Sequence, residues 1–151
     1  MSLQEPTNVS HSELVEATNA SGFFQLLGMH IEVADVGKGK VSIRVDERLM
    51  HPQMIVHGGV TFALADSAMG MTLLAALSPE TRIGTIEAKV NFLLPVRAGE
   101  LVAEARIVHL GRTIAVLEAT VFNIVEDEPR AVARMIGSFS ISESQRPVVA
   151  E

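Results

Sequence analysis

The chain has 151 residues, 48% hydrophobic and 20% charged, a balance that suits a folded domain with room for one core. A net charge of −6 leaves no basic face for the phosphates of a nucleic acid, so no nucleic-acid partner is expected. The absence of cysteine excludes disulfides, thiolate nucleophiles and Cys-ligated zinc, and the absence of Trp and Tyr leaves few platforms for stacking bases or sugars.

Residues 1–10 read as a disordered leader without the basic and apolar regions of a secretory signal, and a cytoplasmic location is expected. Ser12, Glu13, Leu14 and Val15, followed by Phe23, Phe24, Leu26 and Leu27, predict one short amphipathic helix ending near Gly28. Period-two alternation follows at Ile31 and Val33 and again at Val41, Ile43 and Val45, which predicts a hairpin turning at Gly37-Lys38-Gly39. Residues 47–56 read as a loop carrying His51, Pro52 and Gln53, with His57 just beyond it. An apolar helix then runs from about Gly58 to Leu77 and is closed by Ser78-Pro79. It is about one bilayer span long, but Asp66 near its middle would cost roughly 2.5–3.5 kcal/mol in lipid. With no second span to pair with it, the helix reads as buried in protein and no membrane partner is expected.

Four β-like runs complete the domain: Ile83–Leu94, Leu101–Leu110, Thr113–Val125 and Arg130–Ile141. Turn signals separate them at Pro95–Gly99, Gly111 and Glu126–Pro129. The layout is β-β-α-β-β-β-β in a single domain over residues 11–143, with a loose tail over 144–151. A helix apolar all round must be covered all round, so the expected class is α+β, with one antiparallel sheet wrapped around the helix.

Two features of the helix point to chemistry. Gly58 and Gly59 open it, and N–H groups at a helix start lack intrahelical partners and lie at the positive end of the dipole. Such a start can bind an anion or an oxyanion, or can simply turn the chain tightly. Asp66 lies two turns further on among Leu64, Ala65, Ala68 and Met69, with no basic residue within helical reach. A carboxylate there is either functional or held by a distant ion pair or by solvent. The two groups are eight residues apart, about 12 Å of helix rise. If both act on one small carbonyl, one of them must come from a second copy of the helix, which implies a two-fold dimer with shared sites.

The run H-G-G-x-x-x-x-L-A-D, preceded by the His51 loop and followed by T-I-E-A-K-V-N-F-L-L-P-V and H-L-G-R-T, resembles the PaaI (phenylacetic acid degradation) group of hotdog-fold thioesterases over residues 22–141. The resemblance implies a hotdog domain, a homodimer paired into a dimer of dimers, and hydrolysis of an acyl-CoA thioester to a free acid and CoA. Phenylacetyl or another aryl or medium-chain acyl group is the expected cargo. It places Asp66 at the catalytic carboxylate, as general base on water or as nucleophile forming a mixed anhydride, and Gly58 at the N–H that polarises the thioester carbonyl, with His57 beside it and Gly59 next in the turn. It places Thr85 near the attacking water. His51 stands where Asn or Gln is usual, with Gln53 two residues on, so either could assist the reaction. Met54 stands where Gly is usual. Asn91, Phe92 and Leu94 fall in a segment expected to hold acyl group or pantetheine, and His109, Gly111 and Arg112 in one expected to hold CoA. Arg112 suits a phosphate and equally suits a solvated turn; Arg97 and Lys89 are weaker versions of the same idea.

No cofactor and no metal are expected, since His51 and His57 lack a clustered carboxylate or helical H-x-x-x-H spacing. A Ser-His-Asp elbow of the G-x-S-x-G type is absent. Two alternatives stay open: a hotdog acyl-CoA hydratase or dehydratase using His57 with Asp66, and a non-catalytic acyl-CoA binding protein.

Overall fold

In the computed structural model Ser10, rather than Ser12, starts the first helix. Its hydroxyl accepts from the Glu13 N–H while the Glu13 carboxylate accepts from the Ser10 N–H, a reciprocal capping box. The described residues are 10–143, so the expected leader (residues 1–9) and tail (144–151) lie outside them.

The single N-terminal helix expected from the pattern is two helices, α1 (His11–Asn19) and α2 (Gly22–Leu27). Short polar side chains break it by bonding locally. The Ser21 hydroxyl donates to the Thr18 carbonyl, and the Asn19 side chain accepts from the Ile31 N–H at 2.8 Å. Phe24 is buried, whereas Phe23 and Leu26 face outward. Gly28, left-handed at φ 75°, ends α2.

Strands β1 (Met29–Asp35) and β2 (Lys38–Arg44) form the predicted hairpin, but it turns at Val36-Gly37, and Gly39 lies inside β2. A Cβ at Gly39 would collide with the Thr72 hydroxyl and lie 2.7 Å from the Ala68 carbonyl oxygen. That glycine lets the strand sit directly on the long helix. The segment expected as a loop is ordered: a 3-10 turn at Glu47–Leu49, then a miniature hairpin of β3 (Met50–His51) and β4 (Ile55–Val56). The apolar helix is α3 (Gly58–Ala75).

Strands β5 (Arg82–Phe92), β6 (Glu100–Leu110), β7 (Ile114–Val125) and β8 (Glu128–Ser142) follow. The last turn is only Glu126-Asp127, both left-handed at φ 50° and 63°, and Pro129 already belongs to β8 opposite Ile124. Paired positive φ values match the twist of a two-residue hairpin.

The main sheet has six antiparallel strands in the order β1-β2-β6-β7-β8-β5. It curls around α3, which inserts Leu64, Ala65, Ala68, Met69 and Leu73 among Ile43, Leu101, Leu117 and Val121. Full burial of each large side chain contributes about 1.5–3 kcal/mol. This is the α+β hotdog architecture. One expectation needs correcting: a single chain covers α3 on one side only. Phe62, Ala63, Asp66, Ser67, Gly70 and Leu74 remain partly open along one helical stripe. The neighbouring edge strand, β5, exposes Ile86 and Phe92.

Candidate active site

The start of α3 is fixed by hydrogen bonds to distant segments. The Val56 N–H donates to the Val96 carbonyl at 2.9 Å and the His57 N–H to the Leu49 carbonyl at 2.8 Å. His57 is the N-cap, and its Nδ1 accepts from the Gly59 N–H at 2.9 Å. That bond engages the Gly59 donor and, in the neutral ring, puts the proton on Nε2. The Gly58 N–H has no partner among the described residues and remains the free donor at the positive end of the helix. The Phe92 ring packs beside Gly58, 3.0 Å from where its Cβ would be.

His51 is organised in the same way. Its Nδ1 accepts from the Gln53 N–H at 3.1 Å, so a neutral His51 also presents Nε2–H. His51, Gly58, Thr61, Phe92 and Leu94 share a cavity of about 380 Å³. Gln53 is exposed at the hairpin tip and does not line that cavity, so of the two assisting candidates only His51 is placed beside Gly58. Met54 takes φ 58°, the left-handed conformation that favours glycine, and its carbonyl accepts from the Arg97 guanidinium at 3.3 Å. Arg97 therefore braces this hairpin.

Asp66 occupies a second place. It is half-buried in a cavity of about 240 Å³ whose lining includes Ser67, Gly70, Ile83, Thr85 and Phe139. The Thr85 hydroxyl donates to its Oδ1 at 2.9 Å, and no ion pair reaches it among the described residues. Burial raises the carboxyl above the ordinary aspartate range, and the Thr85 hydrogen bond pulls it part of the way back. The bulge in β5 between Thr85 and Glu87 lies next to this contact, at the kind of place where an extra residue re-aims a side chain.

The expected site residues thus divide. His51, Gly58, Phe92 and Leu94 meet at one cavity and Asp66 and Thr85 at another, and one chain does not unite them. The His57–Asp66 pair that a hydratase would use is likewise not assembled within one chain. Strand alternation turns Asn91 away from Phe92, to the outer sheet face with Lys89, Glu118 and Arg134. His109, Gly111 and Arg112 line neither cavity. The register Gly84–Ser140–Ile114 nevertheless brings their turn to the Thr85 end of the sheet. Arg112 makes no ion pair among the described residues. No cluster of His, Asp and Glu that could hold a metal ion occurs among them either. Thr61, Gly70 and Phe24 were not anticipated as site residues. Gly70 had a readable signal, a glycine one turn after Asp66 in mid-helix; Phe24 reaches the site only through tertiary packing.

A sheet curled around one helix, with a lone carboxylate and a free helix-start N–H, defines a hotdog thioester-processing domain. The sequence profile of the thioesterase superfamily matches residues 53–129, and the chain belongs to that superfamily, as a thioester hydrolase. It is 33% identical over 128 residues to a candidate esterase of Halobacterium salinarum, spanning 80% of this chain and 84% of that protein. It is 28% identical over 105 residues to the 1,4-dihydroxy-2-naphthoyl-CoA hydrolase of Listeria monocytogenes, over 70% of this chain and 85% of that one. The crystal structure of a thioesterase family protein from Silicibacter pomeroyi superposes with a TM-score of 0.82 at 27% identity, covering 89% of this chain and 99% of that one.

Proposed function

We propose that the protein hydrolyses an acyl-CoA thioester, with Asp66 activating water and the Gly58 N–H of a second chain stabilising the oxyanion. The observation that carries this reading is the desolvated Asp66 carboxylate, bonded to Thr85, without a cationic partner, at the edge of an apolar cavity. A raised carboxyl pKa makes a stronger base than a solvated aspartate.

Water bonds to the carbonyl carbon and passes a proton to Asp66. Negative charge collects on the former carbonyl oxygen, where the Gly58 N–H and the His51 Nε2–H can donate. The C–S bond then breaks, and sulfur leaves as the CoA thiolate and recovers the proton from Asp66. Thr85 holds one carboxylate oxygen and leaves the other for water. No cofactor enters these steps. Arg112, at the same end of the sheet, suits a CoA phosphate.

Site sharing is supported by the two separate cavities and by about 12 Å of helix rise between Gly58 and Asp66. The open stripe on α3 and the exposed edge β5 offer the surface over which two copies would meet. We read the active unit as a homodimer, able to pair further into a dimer of dimers, working in the cytoplasm.

A free-thiol assay on purified Asp66→Asn tests the central role. The expected loss in kcat is about 10²-fold or more, with the oligomer unchanged on size-exclusion chromatography. Turnover near wild type would remove Asp66 from the mechanism and this reading with it.

A further inference from the structure

Three threonines of the described residues lie inside helices, and two of them engage their hydroxyls on their own helix. Thr18 and Thr72 each donate to the carbonyl four residues back, at 2.7 Å. Thr61, one turn after Gly58 in α3, does not. Its hydroxyl has no hydrogen-bond partner among the described residues, although the residue is only 5% exposed. A hydroxyl left unpaired at such depth is costly and calls for a reason.

The place of Thr61 on the helix fixes where that hydroxyl opens. At about 100° of turn per residue, Thr61 shares the face of Ala65, Ala68 and Thr72, all buried in the chain's own core. The open stripe through Asp66 and Gly70 lies on the opposite side, so the burial of Thr61 does not depend on a second copy. No enclosed side-chain oxygen or nitrogen of the described residues lacks a partner, so the Thr61 hydroxyl is not sealed in. It opens on the cavity of about 380 Å³ that the residue lines. Helical side chains lean back toward the N-terminus, which carries this one over the first turn, where the Gly58 N–H is free. Only His51 and Thr61 bring hydrogen-bonding side chains to that cavity; its other side chains are apolar.

Resting on the thioesterase reading above, we infer that Thr61 is a further catalytic residue, whose hydroxyl donates to the thioester carbonyl oxygen beside the Gly58 N–H. The bond strengthens as that oxygen becomes an oxyanion, which is the condition for lowering the barrier rather than merely binding substrate. The hydroxyl rotates and has no bond to give up, so it can turn to the charge as it develops. Thr61 keeps its proton throughout.

The test is a free-thiol assay across pH with acetyl-, hexanoyl-, palmitoyl- and phenylacetyl-CoA on wild type, Thr61→Val, Thr61→Ala and Thr61→Ser. Thr61→Val keeps the shape without the hydroxyl, Thr61→Ala removes the hydroxyl and a methyl, and Thr61→Ser keeps the hydroxyl. On the best substrate, Val and Ala should lower kcat by about tenfold or more with KM little changed, while Ser keeps most of the wild-type kcat. The Tm of Thr61→Val should not fall, since a buried unpaired hydroxyl is lost. The acid limb of the kcat/KM profile should stay in place in all three, because Thr61 does not hold the carboxylate. If Thr61→Val fails to fold, Ala against Ser decides the matter. Wild-type kcat in the hydroxyl-free variants, a Ser variant as slow as they are, or a shifted acid limb would overturn the role of Thr61 and leave the thioesterase reading standing. Wild type inactive on all four thioesters would overturn both.

Discussion

The shared site makes a quantitative demand on mixed dimers. Gly58→Pro removes the free N–H, and the backbone is suited to it: Gly58 is the first residue of α3, and His57 before it is extended at φ −61° and ψ 133°. No internal hydrogen bond of the described residues is lost, because that N–H has no partner. An added Cβ would lie 3.0 Å from the Phe92 ring, which is the exposed end of a rotatable side chain and can swing aside. Asp66→Asn removes the carboxylate from the other cavity. Each homodimer then has two defective sites, whereas a heterodimer gathers both lesions in one site and leaves the other whole. Random pairing makes half the dimers mixed, each with one live site of two, so co-expression should restore about a quarter of wild-type activity. Differently tagged chains, purified in tandem, should reach about half. A free-thiol assay on the tandem-purified heterodimer reads the outcome once size-exclusion chromatography shows that the proline variant assembles. Heterodimers as inactive as their parents would refute the apposition of Gly58 and Asp66 across two chains.

Three further outcomes are expected. A carboxyl whose pKa is raised on folding binds more protons folded than unfolded, so its contribution falls as pH rises from the unfolded value of about 3.9 through the folded one. Asp66→Asn should therefore raise Tm relative to wild type at pH 7, with the gain fading below about pH 4; an unchanged or lower Tm at neutral pH would contradict burial as the cause. Met54→Gly should gain about 1 kcal/mol by relieving the left-handed strain, seen as a higher urea midpoint with an unchanged slope. Arg112→Ala should raise KM for acyl-CoA with kcat little changed, and more so at low salt, whereas equal KM at all salt concentrations would take Arg112 out of CoA binding.

The sheet and its helix were legible because alternation and apolar runs record burial, and most of this chain's burial follows a simple period. The misreadings fall where a local bond or a tertiary contact overrides the pattern. Ser21 and Asn19 break a helix that the apolar spacing would continue. Gly39 looks like a turn residue because its partner, α3, lies about thirty positions away in the chain. Residue types at fixed spacing singled out Asp66 and Gly58 as candidates, whereas Thr85 came only from the family resemblance; the structure adds the hydrogen bond from Thr85 to Asp66. Which N–H stays free could not be read in advance, since it depends on His57 engaging the Gly59 donor. Met54 illustrates both sides: its standing in a glycine position was visible, and the φ of 58° gives the physical meaning.

The stitching of the α3 start to Leu49 and Val96 has a bearing on the order in which the molecule forms. Helical turns within α3 need only neighbours in sequence, but the aim of the Gly58 N–H depends on Val96, forty positions downstream of Val56. Such long closures are made late, after their loop entropy has been overcome, and the segments that make them open early. Catalytic competence should therefore arise after most of the helix content during refolding and be lost before it during denaturation.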